Sequence, residues 1–204
     1  MSTVIPLILL VIIGALVFLF LYWKKLRDDY SRDTVFTTGL FVVIGSIAGG
    51  VGGNLLSKVL MENRVFVPQG TWFWGSVLVS FVFFLFGVRK KKLRFFETFE
   101  AYGMGIIVWF AIFASILYWP LSLVLIMFFI LYLILNKYYK RFSWYQSGRV
   151  GFSGLTTLGL VFLLRSLVAV FFPTMLSFVG RVDSIVSASV AFLLFFALYN
   201  LSQT

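Results

Sequence analysis

Long apolar runs separated by short, mostly basic stretches set the character of this chain. The first run, Val4 to Trp23, is followed at once by Lys24, Lys25 and Arg27. A second, glycine-rich run from Val35 to Leu60 is closed by the polar stretch Met61 to Gly70 with Pro68. A third, Thr71 to Val88, stops at Arg89, Lys90, Lys91, Lys92 and Arg94. A fourth begins at Phe96 and ends near Tyr118, and Pro120 starts a fifth, so that only a tight turn joins them. The sixth covers Val150 to Phe172, a break follows from Pro173 to Asp183, and the seventh ends at Asn200. About 20 apolar residues at about 1.5 Å rise each cross the hydrocarbon of a bilayer. The pattern therefore predicts an all-α integral membrane protein, a single domain over 1–204. Its seven transmembrane helices fall near 4–23, 35–60, 71–88, 96–118, 120–136, 150–172 and 184–200.

Composition agrees, since 61% of the 204 residues are hydrophobic and 12% are charged, with a mean hydropathy of +1.04. Such a chain cannot clothe a water-facing surface. The first run has no positive charge before it and no small-residue cleavage site after it, so it reads as an uncleaved anchor. Cysteine and histidine are both absent, which excludes disulfides, thiolate nucleophiles, imidazole bases and the usual metal sites. No cofactor is expected.

The net charge of +10 is spread over short clusters between apolar runs, not gathered on one face. That distribution suits anionic lipid headgroups and argues against nucleic acid. Thirteen of the seventeen basic residues fall in the first, third and fifth connections, from Lys24 to Arg32, Arg89 to Arg94 and Lys137 to Arg149. Basic residues near helix ends are retained in the cytoplasm, so the amino terminus is expected outside and the carboxyl terminus inside.

Lipid gives helices no hydrophobic reason to associate, so small residues must let backbones approach. Gly45, Gly49 and Gly53 form two overlapping G-x-x-x-G spacings and read as a helix-packing face, as do Gly103 and Gly105, and Ser184, Ala188 and Ala191. Aromatic residues, 20% of the chain, read mostly as lipid contacts and interfacial belts.

Arg165 stands apart, lying inside the sixth run at about 10 Å from its outer end. It either snorkels to the interface or faces a polar cavity and holds an anionic headgroup through its five donors. Glu97 and Glu100 open the fourth helix, where carboxylates suit the positive end of the helix dipole and read as caps. No paired carboxylates share a helix face at bilayer depth, so a proton relay lacks its parts.

Four stretches resemble the prolipoprotein diacylglyceryl transferase family of bacterial seven-helix enzymes. They are D-T-V-F-T-T-G-L-F-V-V-I-G-S-I-A-G-G-V-G-G-N-L-L (33–56), W-F-W-G-S-V-L-V-S (72–80) with R-F-F-E-T-F-E-A-Y-G-M-G (94–105), the helix begun by Pro120, and G-L-T-T-L-G-L-V-F-L-L-R-S-L-V-A-V-F (154–171). The resemblance implies a bacterial inner (plasma) membrane, a multi-pass bundle, and transfer of a diacylglyceryl group from phosphatidylglycerol to a lipoprotein thiol. It puts Arg165 at the family's helix-borne arginine, and Trp74, Gly75 and Ser76 where the family has His-Gly-Gly. Ala169 stands where an acidic residue is expected, and nothing corresponds to the G-R-x-G-N-F signature. The resulting expectation is a noncatalytic or strongly divergent member that binds anionic phospholipid, with Arg165, Trp74, Gly75 and Ser76 as lipid-binding residues. Phosphatidylglycerol and other membrane proteins are the expected partners. The alternatives are an active transferase using Glu62 or Asp183, and a small-solute transporter. The polar residues Ser46, Asn54, Ser80, Ser115, Thr156 and Thr157 more commonly make helix-to-helix hydrogen bonds than a pathway.

Overall fold

The computed structural model describes residues 4–62, 71–117, 119–142, 151–171 and 180–203. Seven α-helices occupy them: α1 (Val4–Leu26), α2 (Arg32–Glu62), α3 (Thr71–Lys91), α4 (Phe95–Leu117), α5 (Trp119–Tyr138), α6 (Phe152–Phe171) and α7 (Gly180–Gln203). Each is long and apolar enough to cross a membrane. Helices are what such sequences must form in lipid, because every backbone N–H and C=O is then satisfied within its own segment. Among the described residues no strand occurs.

The boundaries coincide with the polar breaks. α3 ends where Lys92 turns into the left-handed region at φ 52°, and the Leu93 amide donates to the carbonyl of Val88 at 3.0 Å, a terminus that usually employs glycine. Gly151, at φ 74°, opens α6 by accepting from the Leu155 amide at 2.9 Å. Between α1 and α2, Tyr30 donates to Glu97 Oε2 at 2.9 Å and accepts from the Arg94 amide at 3.2 Å, clasping the α1–α2 turn to the start of α4.

α4 is the central helix and packs against α1, α5 and α6. α2 and α3 form an antiparallel hairpin on one flank, and α6 and α7 form another. Glycines mark the crossings. A Cβ on Gly49 would lie 2.7 Å from the carbonyl carbon of Gly75, and one on Gly45 would meet Phe83 at 2.9 Å. A Cβ on Gly75 would reach Gly53 Cα at 3.3 Å, so the three α2 glycines and Gly75 form one packing face. Gly14 receives Trp109, Gly105 receives Phe18, and Gly159 receives Phe195. On α7 the packing face runs through Ser184, Ser187 and Ala191, with Ala188 turned outward. Because neighbouring helices alternate in direction, Lys24, Lys25, Arg89 to Lys92 and Lys137 all gather at one end of the bundle, hereafter the basic end.

Candidate functional site

Away from the basic end α4 and α6 diverge, and a cavity of about 600 Å³ opens between them, bordered by α3, α5 and α7. Near the basic end the two helices meet at glycines: Leu158 lies against Gly103, and a Cβ on Gly154 would come 2.8 Å from Glu100 Cα. Farther along, Ile106, Ile107 and Phe110 of α4 face Val161, Phe162 and Arg165 of α6 across the cavity. Among the described residues Arg165 is the one charged side chain lining it, and no carboxylate does.

Arg165 is 8% exposed. Its Cζ stands 3.6 Å from the centre of the Phe73 ring and 4.9 Å from that of Trp74, and its Nε donates to Ser187 Oγ at 3.2 Å. The side chain lies against the cavity and does not run out to a surface, but the cavity is apolar apart from it, not the polar one expected from sequence. A cation at membrane depth costs about 2.5–3.5 kcal/mol on insertion scales. A desolvated cation–π contact contributes about 2 kcal/mol or more, so two rings are enough to offset that cost.

Trp74 also stacks on Phe162 at 6.0 Å, fixing the wall between α3 and α6. Its sequence neighbours go elsewhere. Gly75 packs on Gly49, and Ser76 shares a 2.6 Å hydrogen bond with Ser46 of α2, so both turn away from the cavity. Successive residues of a helix point about 100° apart, and a three-residue motif cannot all face one ligand. Phe73 and Ser187, which hold the guanidinium, were not singled out from sequence. The clue was thin: an aromatic pair and a serine in a long apolar run.

A second polar cluster ties α1, α4 and α5 near the basic end. Glu100, 2% exposed, pairs with Lys25 Nζ at 3.1 Å and accepts from the Tyr132 hydroxyl at 3.3 Å, and Lys25 also donates to Asn136 Oδ1 at 3.3 Å. The capping expectation for Glu100 is thereby corrected, because its carboxylate is spent on neighbouring helices. Glu97 does lie in the first turn, bound by Tyr30 and by Arg94 Nη1 at 3.1 Å. Three further polar candidates are satisfied locally or between helices, whereas the buried Thr156 hydroxyl has no hydrogen-bond partner among the described residues. Ser80 bonds Tyr102 at 2.9 Å, Ser115 donates to the Ile112 carbonyl, and Thr157 donates to the Ser153 carbonyl. The side chains of Glu62 and Asp183 lie outside the described residues.

No family model, no curated protein and no solved structure matches this chain.

Proposed function

We propose that this protein is a multi-pass membrane protein that holds an anionic phospholipid, with the phosphate at Arg165 and hydrocarbon in the adjoining cavity. The observation that carries the reading is a buried guanidinium, braced by Phe73, Trp74 and Ser187, as the one charge in an otherwise apolar cavity among the described residues. Such a lining suits a ligand that is mostly apolar with a single negative group. Leu78 and Leu193 line the cavity and are themselves exposed on the apolar flank of the bundle, which gives a lipid a lateral way in.

Within this proposal the chain is a divergent, noncatalytic relative of the prolipoprotein diacylglyceryl transferases in a bacterial inner membrane, with the basic end cytoplasmic. Seven helices, Arg165 on α6 and the distribution of basic residues support the kinship and the orientation. Thiol transfer requires a base beside the lipid. The described cavity lining offers no carboxylate, lysine or histidine for that role, which supports binding without transfer.

Lipid extracted from purified protein and weighed against the bulk membrane by mass spectrometry tests the proposal. Phosphatidylglycerol or another anionic phospholipid is expected to be enriched. Arg165→Gln removes a charge-assisted contact of about 1.5–3 kcal/mol and should reduce the enrichment about tenfold or more. Equal lipid content in the two proteins would overturn the reading.

A further inference from the structure

We infer that the cavity takes one acyl chain of its phospholipid and measures its length; this rests on the lipid reading of Arg165. The register set by Gly154 on Glu100 and Leu158 on Gly103 puts Arg165 level with about Phe110 of α4. Toward the basic end the cavity has a two-part floor. Leu158 against Gly103 closes the seam between α4 and α6. One turn lower, Phe81 meets Phe99 edge-on at 6.2 Å and closes the seam between α3 and α4.

From Phe110 to Phe99 the rise is about 16 Å at about 1.5 Å per residue. A staggered chain advances about 1.25 Å per carbon–carbon bond, so about thirteen carbons span that depth. One myristoyl or palmitoyl chain spans that depth, and the second chain of a diacyl lipid leaves the cavity past the exposed Leu78 and Leu193.

Two lining residues of α3 adjust the depth without touching the guanidinium contacts. Phe81→Ala lowers the floor, and Val77→Phe raises it by about one turn; both positions are only partly buried, which favours folding of the variants.

The test offers purified full-length protein an equimolar mixture of lysophosphatidylglycerols with lauroyl, myristoyl, palmitoyl and stearoyl chains, and reads the retained species by native mass spectrometry. Wild type should prefer each added methylene about threefold until the cavity is filled, because an unfilled methylene volume forfeits packing. It should then show no further gain. Phe81→Ala should move the optimum to a longer chain and Val77→Phe to a shorter one. Should all probes bind while neither variant changes their order, the ruler is overturned and the lipid site stands. Should no probe bind wild type above Arg165→Gln, both readings fall.

Discussion

Glu100 and Lys25 form an ion pair whose carboxylate is almost fully enclosed. Removing one partner of a buried pair leaves an uncompensated charge and costs about 3–5 kcal/mol. Lys25→Met alone should therefore lower the unfolding free energy in detergent by about that amount, and Lys25→Met combined with Glu100→Leu should regain most of it. A loss in the single variant equal to that in the double would count against the pair. Tyr30 is a different kind of residue, outside the spans and only partly buried. Burial pushes its phenol above the ordinary value, its donation to Glu97 pushes in the same direction, and the Arg94 amide opposes both. A raised pKa favours the protonated phenol in the folded state. The clasp is therefore fully present below about pH 10 and lost as the pH rises through the higher folded value. Wild type should lose thermal stability relative to Tyr30→Phe on entering that alkaline range, and parallel pH profiles of the two proteins would refute the clasp.

Element against element, the α2–α3 hairpin depends on two backbones touching. Gly49 faces the Gly75 carbonyl, with no flexible side chain there to give way, so Gly49→Ala must push the helices apart. Overpacking of that kind costs about 1–3 kcal/mol. Gly52, three residues on, has nothing within 4 Å of where a Cβ would stand, and Gly52→Ala should stabilise α2 by about 0.5–1 kcal/mol. Thermal unfolding of the pair in one detergent checks the contrast, and equal effects would mean that the hairpin does not rest on that contact. The G-x-x-x-G spacing pointed to the face of α2 but not to its partner. Gly75 supplies the other half of that face, although the family resemblance had put it beside the lipid. Nothing in its own sequence surroundings distinguishes a glycine that meets a helix from one that meets a ligand.

For the whole molecule, α1, α3 and α5 carry the basic residues of their last turns at one end, and the positive-inside preference makes that end cytoplasmic under the proposed topology. A reporter fused beyond Thr204 should be active in the cytoplasm, and one inserted in 63–70 should be active outside. The opposite pair of results would invert the orientation.

Helix number, approximate bounds and the clustering of charge were legible in the sequence, because lipid obliges each spanning segment to satisfy its own backbone and to be apolar along its length. Those are local requirements, visible in a run of residues. That Phe73 and Ser187 hold Arg165 was not legible, because they approach it from α3 and α7 at separations in sequence that no run records, and Trp74 was expected beside it only through the family resemblance. The pairing of Lys25 with Glu100 depends likewise on how α1 crosses α4. In an almost uniformly apolar chain many helix rotations bury similar surface, so the few glycines, serines and charges select among them, and only the tertiary structure shows which residues they select.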